Sequence, residues 1–171
     1  SKISSYIAKK NSNLQSWINL PNIINYVNKE NITEDNLAIK EITPSSVLDK
    51  FSESPFFSKL VKLLGIGLDD IQNTYMKSSN DRGILEDLED NLNNKLHDIS
   101  VYFNKLYFNS SELRYKFNIR IESNNIFFNI REESQSISLN MQSDGFRWFF
   151  DFYFKVLSND GLNEGDIILL D

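Results

Sequence analysis

Between Leu85 and Ile130 the hydrophobic period changes once, and that change restricts the folds open to this chain. Leu85, Leu88, Leu92, Leu96, Ile99, Phe103 and Leu106 recur at spacings of three and four, the mark of a helix with one apolar seam. Tyr115, Phe117, Ile119 and Ile121 then alternate with Lys116, Asn118, Arg120 and Glu122, and Ile126, Phe128 and Ile130 alternate again after Ser123-Asn124-Asn125. Strict alternation around a polar turn predicts a β-hairpin with one buried face. A long helix followed by a half-buried hairpin mixes both element types, so the expected fold is α+β within these residues, as part of a domain of the α/β class.

The rest of the chain fits around that core. Tyr6, Ile7, Leu14, Trp17 and Ile18 have rough helical spacing, which Pro21 interrupts. A weak apolar segment surrounds Ile23, Ile24, Tyr26 and Val27, and residues 32–42 are ambiguous. Thr43-Pro44-Ser45-Ser46 predicts a helix start, with Ser45 or Ser46 as cap. Ser54-Pro55 opens another helix, Phe56 to Leu64, with Pro55 at its first position and Gly65 after its end. The seam helix is expected over Asp81–Phe108, with Glu86, Asp87, Asp90, Asn93, Asn94 and Lys105 on the face opposite the seam, Glu89 solvated beside Glu86, Asp87 and Asp90, and His97 at the surface. Ile137 to Leu139 suggests a short strand. Phe146, Phe149, Phe150, Tyr153, Phe154 and Leu157 make one wide apolar face of a further helix, with Arg147, Asp151 and Lys155 paired along the other. Ile167-Ile168-Leu169-Leu170 is a short apolar run ending on Asp171, as a buried parallel strand would.

Composition removes several function classes. The chain has 171 residues, no cysteine and one histidine, so disulfides, thiolate chemistry and multi-histidine metal cages are excluded. Its net charge of −6 leaves no broad basic field for a nucleic-acid backbone. No apolar run is long enough to span a membrane and no signal peptide is visible, so a cytoplasmic protein is expected. A core strand ending the chain and the absence of an initiator methionine suggest a piece of a longer protein. The division expected is a mainly helical subdomain over 1–110 and a hairpin, helix and strand over 111–171.

The stretch that carries chemistry is Gln142-Ser143-Asp144-Gly145, immediately before the aromatic helix. Ser143 is placed to cap that helix. The first helical turn offers unpaired N–H groups and the positive end of the helix dipole, and Gly145 removes a side chain where an anion would approach. Downstream, the Ile-Ile-Leu-Leu run delivers the carboxylate of Asp171 at a strand end.

This ordered set resembles the C-terminal half of an ABC-type ATPase head, nearest to the RecF, SMC and OLD-like bacterial ATPases. The likeness covers about residues 110–171, and residues 20–108 correspond only by position, as the helical insertion before the signature. Ser143 and Gly145 match the Ser-x-Gly signature, and Asp171 matches the Walker B aspartate. The resemblance implies that Ser143, Asp144 and Gly145 grip ATP held by a second head of a homodimer, while Asp171 serves its Mg²⁺. It implies a DNA-related or phage-defence role, with any DNA bound through other regions. The family's Walker A, G-x-x-x-x-G-K-[ST], has no match here, and the catalytic glutamate would follow Asp171. These residues alone are therefore expected not to hydrolyse ATP. The alternative expectation is a non-enzymatic interaction domain whose helices over 45–108 present a partner surface.

Overall fold

A computed structural model describes residues 23–26, 31–78, 82–109, 112–157 and 167–170. The helix expected over residues 6–18 and the carboxylate of Asp171 lie outside them. Two units are present, one holding residues 29–160 and the other the two ends of the chain.

In the smaller unit, strand β1 (Ile23–Tyr26) pairs in parallel with β6 (Ile167–Leu170), in register Ile23 to Ile167 through Tyr26 to Leu170. The apolar run before Asp171 is thus a strand in a parallel pair, as its composition predicted.

The larger unit is mixed helix and antiparallel sheet. A 3-10 turn (Glu34–Leu37) leads into strand β2 (Ala38–Ile39), then helices α1 (Val47–Glu53), α2 (Pro55–Leu63), α3 (Leu68–Ser78) and α4 (Gly83–Phe108). Strands β3 (Tyr115–Glu122), β4 (Asn125–Glu132) and β5 (Gln135–Ile137) follow, then a second 3-10 turn (Leu139–Met141) and helix α5 (Asp144–Leu157). Strand β4 is central, with β3 along one side and both β2 and β5 on the other. The strand expected at Ile137 to Leu139 lies two residues earlier, because Leu139 opens the 3-10 turn instead.

Local chemistry explains the helix ends. Pro55 occupies the first position of α2, and the Ser54 hydroxyl accepts the Phe57 N–H at 3.3 Å. Gly65, at φ 63°, closes α2 in a Schellman motif, with Ile66 N–H to Val61 C=O at 3.0 Å and Gly65 N–H to Lys62 C=O at 2.9 Å. Ser46 precedes α1 as expected, but its hydroxyl accepts the Thr43 N–H at 2.9 Å rather than a helical one.

One hydrophobic core runs from Leu37 to Phe154. The helices and the hairpin share it, so packing does not divide at residue 110; both lie within the 29–160 unit. Phe103 sits at its centre, with ring centroids 4.9 Å from Phe117, 5.1 Å from Tyr153 and 5.2 Å from Phe149.

Helix α4 does more than bury its seam. Glu89, Asn93, Ser100 and Asn104 fall within about 60° of one another at 3.6 residues per turn, on a stripe beside the apolar one. That stripe runs antiparallel to β3 along its otherwise open edge. The Glu89 carboxylate accepts the Ile121 N–H at 2.6 Å, and the Asn93 amide accepts the Ile119 N–H at 2.7 Å while donating to the Ile119 C=O at 2.9 Å. Ser100 Oγ accepts the Phe117 N–H at 2.9 Å, and Asn104 Oδ1 accepts the Tyr115 N–H at 2.8 Å. The solvated role expected for Glu89 and Asn93 is therefore wrong: they take the place of a neighbouring strand, covering an edge that would otherwise template aggregation. Leu106, the last member of the expected seam, is 48% exposed, while Asn104 is buried.

Burial sets one pH response. It pushes the Tyr75 and Tyr153 hydroxyls well above their usual 10.0, with the Tyr102 hydroxyl adding to the rise at Tyr153. A raised value means the fold holds the protonated phenol. Its contribution is complete below pH about 10 and is lost as pH rises further, when the unfolded chain ionises first. The Tyr75 hydroxyl is buried without a partner among the described residues, whereas Tyr153 donates to the Ile99 C=O at 3.0 Å. Tyr75→Phe is therefore expected to keep or raise stability at pH 7 and to flatten the alkaline loss. Tyr153→Phe should cost about 1 kcal/mol at pH 7. Urea unfolding of both variants at neutral and alkaline pH checks the pair, and a loss of more than about 1 kcal/mol in Tyr75→Phe would contradict it.

Candidate functional site: the tip of helix α5

The aromatic face of α5 is locked into the core, with Phe146, Phe150, Tyr153 and Phe154 all at most 2% exposed. This fixes the direction of the helix and hence of its first turn. Ser143 caps it: its Oγ accepts the Phe146 N–H at 3.2 Å, and its carbonyl accepts the Arg147 N–H at 3.0 Å. Ser143, Asp144 and Gly145 are all exposed. The N–H groups of Asp144 and Gly145 have no acceptor among the described residues, as expected at a helix start.

The segment before the bend is held from a distance. Leu139 is 1% exposed and anchors the 3-10 turn in the core. One oxygen of Glu34 accepts from the Leu139 N–H at 2.8 Å and from the Ser138 hydroxyl at 3.0 Å. No local pattern points to Glu34, because 105 residues separate it from Leu139.

The far side of α5 differs from its expected charge ladder. Asp151 is 1% exposed, accepts the Ile32 N–H at 2.9 Å and pairs with Lys155 at 2.9 Å. Arg147 pairs with Asp144 instead, which leaves the tip without net side-chain charge.

Gly145 is informative because nothing among the described residues requires it. A Cβ there would meet nothing within 4 Å, and its φ lies outside the left-handed region. Glycine inside a helix costs about 1 kcal/mol relative to alanine, so neither sterics nor backbone conformation within the described residues accounts for it.

The bend can therefore offer a hydroxyl proton and two unpaired N–H groups to an anion. The Asp144 carboxylate, which would oppose that approach, is paired with Arg147. Among the described residues no group of three acidic or histidine side chains could hold a metal ion. A Mg²⁺ role for Asp171 concerns a residue outside them. His97 is exposed, as expected of a surface residue. No helix among the described residues is long and apolar enough to cross a membrane. No protein-family model matches the chain, and no curated protein or solved structure matches it significantly.

Proposed function

We propose that this chain is part of an ATPase head of ABC type and that the tip of α5 is its signature, acting on ATP bound by a second head. The observation that carries the reading is the exposed, capped Ser143–Asp144–Gly145 bend, with a glycine that nothing among the described residues requires. The parallel pairing of β1 with β6 supports it, since parallel strands belong to α/β cores and the whole 29–160 unit is inserted between these two.

In this reading the Ser143 hydroxyl donates to the terminal phosphate. The N–H groups of Asp144 and Gly145, at the positive end of α5, stabilise its charge. Glu34 and Leu139 hold the bend in place, and Asp171 would help hold the Mg²⁺ of its own head. ATP supplies the phosphate and the energy of its hydrolysis when bound.

The test is Ser143→Arg in the intact protein, followed by light scattering with and without ATP. Loss of ATP-driven dimerisation is expected, with an unchanged circular dichroism spectrum because the substituted position is exposed. Unchanged dimerisation and turnover would remove the assignment. The second reading, a non-enzymatic interaction domain, draws on Val101, Tyr102 and Leu106, exposed by 43%, 48% and 48% on α4. It predicts that Ser143→Arg changes nothing.

A further inference from the structure

The core takes one face of the β3–β4 hairpin, and the other face has its own composition. Cross-strand register sets it out in three rungs: Lys116 opposite Arg131, Asn118 opposite Asn129, and Arg120 opposite Phe127. Successive rungs are about 7 Å apart at the rise of a β-strand. Lys116, Arg120 and Arg131 are exposed, and Phe127 is half-buried on an outward face.

Two features of this face have no explanation within the fold. Lys116 and Arg131 are like charges placed directly opposite each other, an arrangement that destabilises a sheet. Among the described residues no carboxylate bridges them; Arg131 donates instead to the Ser134 carbonyl at 2.7 Å. On the middle rung, Asn118 Oδ1 is buried without a hydrogen-bond partner among the described residues. Asn118, Arg120, Phe127, Asn129 and Arg131, together with Glu122 and Ser136, line one shallow concavity of about 320 Å³.

The nearby acidic groups do not cancel the charge. Glu122, on the next rung opposite Asn125, pairs with Arg120 at 2.6 Å, and Glu133 follows Arg131 in the turn to β5. Three cations against these two carboxylates leave the face positive within a chain of net charge −6. The β3 edge is covered by α4, and the other edge is made by the short strands β2, of two residues, and β5, of three, so an extended peptide has little edge to join as a further strand. A ligand on this face must be recognised by side chains alone.

The geometry points to a single strand of nucleic acid lying along the outer face of the hairpin. A phosphate bridges Lys116 and Arg131 and relieves their repulsion. A base edge meets the Asn118 and Asn129 amides. The next base stacks on Phe127, with Arg120 beside it. Stacking on an aromatic side chain and pairing of phosphates with nearby cations is the chemistry of single-strand binding. Because the rest of the chain is acidic, the attraction is confined to this face and is strongly screened by salt.

The test is fluorescence anisotropy of the full chain with a labelled oligo-deoxythymidine of about 12 nucleotides, within the usual range of such sites. Binding that weakens with salt is expected. Lys116→Glu should weaken it about tenfold and lower the salt slope by about one. The same change replaces a like-charge pair by an opposite one, so its unfolding midpoint should hold or rise. Phe127→Leu, which keeps an apolar side chain, should weaken binding about fivefold. Ser143→Arg should leave binding unchanged, which separates this face from the tip of α5. Four results would overturn the inference: no binding at low salt, full binding by Lys116→Glu, indifference to Phe127→Leu, or equal competition by poly-glutamate, which would make this a surface for acidic peptides.

Discussion

Phe103→Ala is expected to lower the unfolding free energy by about 3–5 kcal/mol, the range for emptying a fully buried aromatic site. Phe103 is 0% exposed, and its ring meets Phe117 on β3 together with Phe146, Phe149 and Tyr153 on α5. One side chain thus joins α4, the sheet and α5, and its neighbours cannot collapse into the gap without moving a whole element. Domains are commonly stable by about 5–15 kcal/mol, so this variant should keep only part of its margin. The urea midpoint measures the effect. Phe149→Ala, at a half-buried position on the same cluster, serves as comparison and should lose less. A loss below about 1 kcal/mol in Phe103→Ala would mean that the centre of the core lies elsewhere.

Asn104→Ala should rank next, at about 3 kcal/mol, although it removes little apolar area. Asn104 is 1% exposed, accepts the Tyr115 and Arg114 N–H groups at 2.8 and 3.0 Å, and donates to the Tyr115 and Ser100 carbonyls, both at 2.6 Å. Deleting its amide leaves several main-chain groups at the end of β3 without partners, and each such buried group costs about 1–3 kcal/mol. Hydrogen exchange gives the local readout. The Tyr115 amide should exchange faster than in the parent chain, whereas the Phe117 amide, held by Ser100, should keep more of its protection. Equal loss at both positions would mean that the whole edge opens as one unit.

These two adjacent residues also show how far the fold could be read beforehand. Phe103 belongs to a helical seam, and a period of three and four is visible in any window of that helix. Asn104 looks like one more polar residue in an asparagine-rich chain. Its role depends on β3, which begins 11 residues later, and nothing local marks it. Glu89, Asn93 and Ser100 were hidden for the same reason. The hairpin was fully legible because alternation and a polar turn are local signals. Asp151 was misplaced because its spacing to Lys155 is that of a surface ladder, while its burial is set by Ile32, distant in sequence. At the candidate site, the Ser143 cap was readable, since it spans three residues, whereas the hold of Glu34 on the preceding turn was not.

The polar stripe of α4 carries a consequence for how this sequence can vary. Between Glu89 and Asn104 the helix advances about 22 Å, and β3 advances about 20 Å from Ile121 to Tyr115. Inserting or deleting one residue in that stretch would swing every later side chain by about 100° and strip the strand of half its partners at once. Substitutions can accumulate along the outer side of the helix, but its residue count between those two positions is held constant by a ruler that lies outside the helix itself.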